Sequence, residues 1–477
     1  MKGKVLLLSF VLAFTTIIGS VYPASSPEAI SLSETTIIDP SLLEILFSTT
    51  EIQEVIVTFK TDNGPTSEHM NLLENVGITE AIAFKSLPMA GVLATPEQII
   101  KLSNKSEVYS IYLNKALAYE NEEATDLTGV DLVRTDESMR KLNGGLPVSG
   151  KGIGVVINDS GIDGLHKDIE FGDNLVQNVL GSTNLQAIDT LLPITYVEGV
   201  ASTDHSSGHG THVAGIVGGT GAMSGGKYEG VAPGASLIGY GSGAAIAMLD
   251  TLGGFDYALT NQYEYNIRVI TNSWGATSGA GTDFDPNDPI NIATKKLYDR
   301  GIVTVFSAGN SGPGESTISG NYKKAPWVVT VAAGDKEGKL ASFSSRGVKD
   351  KGGTVTVDGV NWNWVDRPTV TSPGVDIIST RVISPVASLG ATKDVEYIDP
   401  AYLPYYTTMS GTSMAAPHVA GIIALMLEAN PALSPKEVKQ ILQTTATSMT
   451  GYESWEVGAG YVNAYKAVDE AFKKNKK

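Results

Sequence analysis

Continuous apolar runs recur between Gly152 and Ala333: Ile153 to Ile157, Leu237 to Tyr240, Val269-Ile270, Ile302 to Phe306 and Trp327 to Ala333, several of them flanked by glycine. A strand with one wet face alternates apolar and polar residues. Most of these runs do not, so they read as strands buried on both faces of a parallel sheet. Helical stretches lie between them. Pro289 to Arg300 is one, with Asp288 as its N-cap and Gly301 as its stop. Ser434-Pro435-Lys436-Glu437 opens a later one with a capping box. The alternation predicts an α/β fold, a doubly wound and mainly parallel sheet. In such sheets active sites collect beyond the C-terminal ends of the strands.

Four segments at the edges of these elements carry chemistry. Asp159 ends the run Ile153 to Ile157 and is followed by Ser160-Gly161. His209 stands in Gly208-His209-Gly210-Thr211-His212-Val213-Ala214-Gly215, at a glycine-flanked helix start. Asn310 follows Ala308-Gly309 at another strand end. Ser413 stands in Gly411-Thr412-Ser413-Met414-Ala415-Ala416-Pro417-His418, where a glycine turn leads into an apolar helix. A hydroxyl there lies beside unpaired backbone N–H groups, which stabilise negative charge. Serine is barely ionised at neutral pH and needs a base to take its proton. Histidine suits that task. A carboxylate orients the imidazole and an asparagine amide stabilises an oxyanion.

Those blocks, in the order Asp159, His209, Ser413, resemble the subtilases, the subtilisin-like serine proteases, over about residues 145 to 465. The resemblance implies a catalytic triad of Asp159, His209 and Ser413, with Asn310 as oxyanion donor. It implies that Ser273-Trp274-Gly275 pairs with the substrate backbone strand against strand. With Ala308-Gly309 that segment walls the pocket for the side chain preceding the scissile bond. The small residues suggest a roomy, mainly apolar pocket with Ser319 near its base. Polypeptides are the expected substrates, and no cofactor is expected for catalysis. A structural calcium ion is an open expectation: Gly219 to Tyr228, where subtilisins often carry a calcium loop, lacks carboxylate and Asn side chains. Asp283, Asp285 and Asp288 with Asn287 offer a second candidate, against the simpler reading of a solvated acidic loop with a helix cap. Asp163, His212 and His418 neighbour the catalytic groups and read as buried packing residues.

The N-terminus has a basic start at Met1 to Lys4, an apolar run from Val5 to Ile18 and then small residues, the layout of a secretory signal peptide. The run is short for a membrane span, and no later segment reads as one. Residues 51 to about 115 read as strand, helix, strand, helix, strand, a ferredoxin-like α+β unit with a capping box at Thr95 to Gln98. The expected domains are a signal peptide (1–26), a propeptide (27–119, its inhibitory and folding module about 51–117) and a catalytic domain (120–477). By resemblance the module enters the active-site cleft as an intramolecular inhibitor and is cut near Ala116 to Glu120. Glu120 to Thr135 reads as an exposed acidic connection. A secreted, extracellular, monomeric endopeptidase follows.

Composition narrows the field. Lys+Arg 34 against Asp+Glu 51 gives a net charge of −17, which argues against nucleic-acid or anionic-membrane binding. With no cysteine, thiol nucleophiles and thiolate metal sites are excluded. Lipase-like α/β-hydrolases want Gly-x-Ser-x-Gly, which Ser413-Met414-Ala415 does not provide. Serine-carboxyl peptidases use a glutamate in place of histidine. A catalytically inactive binding protein on the same fold is the remaining alternative. Two insertions stand out. Val348 to Asp366 reads as a surface hairpin turning at Asp358-Gly359, and Arg381 to Thr408 is a tyrosine-rich loop that lines the cleft or packs on itself. Met414, beside the nucleophile, is a candidate for oxidation.

Overall fold

The computed structural model describes residues 36–61, 64–79, 81–83, 88–113, 123–181, 194–205, 207–243, 248–276, 279–383 and 391–475. The signal segment and the expected cut near Ala116 to Glu120 lie outside these residues. The chain divides into two compact units, Met1–Ala118 and Tyr119–Lys477.

In the N-terminal unit, strands Gln53–Phe59, Ala81–Ala83, Met89–Ala94 and Val108–Leu113 form one sheet with Ile37–Ile38 added at an edge. Gln53–Phe59 lies between Val108–Leu113 and Met89–Ala94, antiparallel to both. Helices Ser67–Asn75 and Pro96–Ser103 supply Leu73, Ile99 and Leu102 to a core with Val55, Val57, Phe59 and Ile111. The capping box forms: Thr95 Oγ1 accepts from Gln98 N at 3.3 Å, and Gln98 Oε1 accepts from Thr95 N at 2.8 Å. The element order is thus strand, helix, strand, strand, helix, strand. Ala81–Ala83 corrects the sequence reading, because three residues are too few to carry a periodicity.

In the second unit, the strands are β1 (Gly154–Asp159), β2 (Leu175–Gly181), β3 (Tyr196–Val197), β4 (Ser236–Gly241), β5 (Ile267–Asn272), β6 (Val303–Ser307), β7 (Val329–Gly334) and β8 (Val370–Pro373). The sheet runs β8-β7-β6-β5-β1-β4-β2-β3 and is parallel except for the β2–β3 pair. The main helices are α1 (His209–Gly218), α2 (Met248–Thr260), α3 (Pro289–Asp299), α4 (Thr412–Ala429), α5 (Pro435–Thr445) and α6 (Ala464–Asn475). Successive strand residues point to opposite faces. Val155, Ile157, Val269, Val303, Val305 and Val331 join one core with α1, α4 and α6. Val156, Ile238, Ile270 and Phe306 join a second with Phe255 and Tyr257 of α2 and Leu297 of α3. Both faces are dry, which is why the runs are continuous. The expected helix signals are in place: Asp288 accepts from Ile290 N at 2.8 Å, and Ser434 from Glu437 N at 3.3 Å.

Three sequence readings are corrected. Among the described residues α4 is long and apolar enough to cross a membrane, but it is a buried core helix. Residues from Glu123 form helices Glu123–Thr128 and Val130–Thr135, not an exposed connection. Val130 and Val133, three apart, share a buried face, and Arg134 donates to Val231 O at 3.0 Å. The insertion Val348 to Asp366 is a hairpin of Gly352–Val357 with Val360–Val365, turning at Asp358-Gly359 with positive φ at both. It is not merely superficial. Trp362 and Trp364 lie edge-on or tilted against Trp327, Tyr298 and Phe284, so one face belongs to the core.

The tyrosine-rich insertion holds helix Ala391–Tyr397 and strand Tyr406–Met409, the latter paired with Ile377–Thr380. Tyr402 and Tyr406 pack on each other and on Tyr228, and Tyr406 also contacts His166. Residues 384–390 lie outside the description.

Candidate active site

Asp159 is the last residue of β1, Ser273-Trp274-Gly275 follow β5, and Ala308-Gly309-Asn310 follow β6. These are three adjacent parallel strands, so their C-terminal ends share one edge. His209 is the first residue of α1 and Ser413 the second of α4. The helix α1 approaches β1 closely because Gly210 has no side chain. A Cβ there would run into the carbonyl of Gly161 and stand 3.1 Å from Asp159 Cβ.

That approach brings His209 Nδ1 to 2.7 Å from Asp159 Oδ1. The same carboxylate oxygen accepts from Ser160 N at 2.8 Å, and Ser160 Oγ accepts from Gly210 N at 2.9 Å, tying strand end to helix start. Asp159 is buried. A carboxylate there favours the proton on Nδ1 and leaves the Nε2 lone pair available. Burial pulls the imidazole pKa down, but the charge of Asp159, its hydrogen bond and the field of Asp204 outweigh it. The result lies above the ordinary histidine value. Asp204 is itself held by Gly208 N at 3.1 Å and Thr211 Oγ1 at 2.8 Å.

Ser413 lies on the first turn of α4. Its hydroxyl donates to Ser273 O at 3.1 Å. Pro417 sits four residues on and has no N–H, so the carbonyl of Ser413 lacks its helical partner. Ser273 Oγ donates to it at 2.8 Å instead. The serine is therefore doubly laced to the segment after β5. Asn310 Oδ1 accepts from both Thr412 N and Thr412 Oγ1 at 2.9 Å, and Gly309 N donates to Thr412 Oγ1 at 3.0 Å. With its oxygen held, the amide nitrogen lies beside Gly411. A Cβ built on Gly411 would lie 3.3 Å from Asn310 Nδ2 and 3.5 Å from Ser413 N. Two amide nitrogens thus border the space that this glycine leaves open.

Sequence reasoning missed Thr412, whose hydroxyl couples Gly309 to Asn310. Its place beside Ser413 was the only signal. It also missed Asp204, which stands in no motif. The expected bystanders are placed as packing groups. His212 Nε2 lies 3.0 Å from Ile377 O and 3.1 Å from Thr407 O, and burial together with the neighbouring His209 pushes its pKa to about 3. His418 Nε2 meets Thr128 Oγ1 at 2.9 Å, and burial and then Arg134 lower its pKa to about 3. Asp163 accepts from Ile383 N at 2.8 Å. The surroundings of the expected pocket glycines are not simply apolar: a Cβ on Gly275 would run into Lys323 Nζ and lie 3.8 Å from Ser319 Oγ, and one on Gly309 would meet Ser345 Oγ at 2.8 Å and stand 4.0 Å from Lys323 Nζ.

In the candidate calcium loops the carboxylates are engaged within the protein. Asp283 pairs with Lys351 at 2.7 Å, Asp285 Oδ1 accepts from Asn287 N, and Asp288 caps α3 and accepts from Asn321 Nδ2. Against the turn 219–228, Asp168 spends one oxygen on Met223 N at 2.9 Å and the other on Tyr406 OH at 2.6 Å, and Asp399 pairs with Lys227 at 3.1 Å. Among the described residues no group of three or more His, Cys, Asp or Glu is placed to hold a metal ion.

The model of the subtilase family matches residues 150–462. The chain belongs to the subtilase family. It is 32% identical over 407 residues to serine protease AprX of Bacillus subtilis, covering 81% of this chain and 80% of that one. It is 30% identical over 345 residues to subtilisin DY of Bacillus licheniformis, covering 71% and 97%. Among solved structures, the S41 psychrophilic protease superposes with a TM-score of 0.50 at 25% identity, over 72% of this subtilase and 99% of that chain. This subtilase is a serine endopeptidase acting on polypeptides.

Proposed function

We propose that this subtilase is a secreted endopeptidase, made as a self-processing precursor, whose acyl-enzyme forms on Ser413. The observation that carries the reading is the 2.7 Å contact of His209 with Asp159, together with the amide nitrogens of Asn310 and Ser413 bordering Gly411. A substrate strand that pairs with Ser273 O takes the acceptor on which the Ser413 hydroxyl rests. The hydroxyl then turns to His209 Nε2, which accepts its proton as Oγ bonds to the scissile carbonyl carbon. The carbonyl π electrons move onto oxygen, and Asn310 Nδ2–H and Ser413 N–H stabilise that charge. His209 returns the proton to the leaving amine as the C–N bond breaks. Water, deprotonated by His209, repeats the sequence on the ester. Asp159 stays ionised throughout and holds the imidazole. Each bond-making and proton-moving role is filled by a side chain, so the reaction calls for no metal or organic cofactor.

The signal-like N-terminus supports secretion, and the N-terminal α+β unit acts as folding template and inhibitor. A parallel sheet has non-local contacts and forms slowly, which gives a template physical value. The test is Ser413→Ala in the full-length chain. It is expected to accumulate uncleaved precursor, read by intact mass, while the wild type yields a mature N-terminus near residue 119. Maturation of the purified variant by itself would sink self-processing.

Asn310→Leu removes the amide and keeps the volume. Turnover of a peptide substrate is expected to fall about 10²–10³-fold, the scale known for the corresponding amide of subtilisin itself and carried over by family. KM should change little, because the oxyanion exists only beyond the ground state. A loss confined to KM would show that Asn310 binds substrate instead.

A further inference from the structure

Lys323 lies in the one-turn 3-10 helix Asn321–Lys324 and is 2% exposed. Its ammonium stands between the two glycines that wall the pocket for the residue preceding the scissile bond. A Cβ built on Gly275 would collide with Lys323 Nζ and lie 3.8 Å from Ser319 Oγ, and one on Gly309 would stand 4.0 Å from the same ammonium. The Gly309 Cβ would first meet Ser345 Oγ at 2.8 Å, so the close approach of the lysine is to Gly275.

The buried Lys324 and the half-buried Lys439 have partners. Lys324, next in sequence, pairs with Asp366 at 2.8 Å, and Lys439 donates to Pro326 O at 3.0 Å and Val328 O at 2.7 Å. Among the described residues no carboxylate pairs with Lys323, and burial pulls its pKa down to about 7. An ammonium held out of water without a counter-ion costs stability. Among the described residues that counter-ion is missing, beside the glycines expected to receive a substrate side chain.

We propose that Lys323 is a specificity residue, and that this subtilase prefers glutamate or aspartate immediately before the scissile bond. The inference rests on Ser413 as nucleophile and on Gly275 and Gly309 as walls of that pocket. The incoming carboxylate supplies the absent charge, and a charge-assisted hydrogen bond in a dry pocket favours it over the isosteric amide. The chain's net charge of −17 gives acidic peptides no long-range attraction, so the selection is made at this contact.

The test uses the mature enzyme and a peptide series differing only before the scissile bond, with Glu, Asp, Gln or Leu. The Glu peptide is expected to exceed the Gln peptide in kcat/KM by about 10- to 100-fold. Lys323→Met removes the ammonium at similar length and should reverse that ranking, with Leu and Gln overtaking Glu. Mass spectrometry of fragments from a denatured protein digested by the wild type gives a second reading that needs no variant: cleavage should cluster after Glu and Asp. Efficient cleavage after Leu with Glu no better than Gln, or a Glu preference surviving in Lys323→Met, overturns the pocket assignment and leaves the protease standing. Hydrolysis of no peptide overturns both.

Discussion

His209→Ala is expected to lower kcat on a peptide anilide on the order of 10⁶-fold, the scale seen when serine or histidine is removed from subtilisin, a member of this family. Among the described residues the hydroxyl of Ser413 hydrogen-bonds to the carbonyl of Ser273, which cannot accept a proton at neutral pH, so the reaction depends on His209 as base. The residual rate should come from the two oxyanion donors, which His209 does not position. Adding Ser413→Ala to His209→Ala should therefore cost little more, since the pair acts as one unit. The single and double variants are compared by steady-state kinetics after purification free of wild type. A His209→Ala enzyme within tenfold of wild type, or a double variant losing the product of two independent factors, would refute the coupling.

The second large effect is electrostatic. Asp159→Asn is expected to cut kcat about 10⁴-fold near neutral pH. The asparagine amide donates toward Nδ1 and leaves the Nε2 position protonated, so the imidazole presents a proton where it needs a lone pair. The pH profile carries an independent signature. His209 is active when neutral, so kcat/KM rises with pH through its pKa. Burial lowers that pKa, while Asp159, by charge and hydrogen bond, raises it above the ordinary value. Removing the charge leaves burial less opposed, and the acid limb of the profile must move to lower pH even as the plateau falls. An acid limb that stays in place or moves upward would show that Asp159 does not set the titration of His209.

Much of this was legible in the chain. Asp159, His209, Asn310 and Ser413 each sit in a short contiguous motif whose glycines, strand ends and helix starts are local instructions. The continuous runs around Val155 and Val305 announced a sheet covered on both faces, because periodicity reports which side of a strand is wet. Readings failed where the signal was short or depended on distant partners. Ala81–Ala83 has too few residues to show a period, and the helices from Glu123 look polar until Val130 and Val133 find the core.

The sequence by itself determined the family, the order of the proposed catalytic groups and the strand ends and helix starts that bear them, because those depend on local backbone preference and on side-chain type. Only the tertiary structure decided how the groups meet. Asp159 and His209 are fifty residues apart and reach 2.7 Å through the helix–strand approach that Gly210 permits. Thr412 orients Asn310 across 102 residues. Lys323 lies in a run of two lysines that sequence alone leaves equivalent, yet Lys324 turns to Asp366 and Lys323 toward Gly275 and Gly309. Side-chain direction at such a turn is set by long-range packing, which no local pattern encodes.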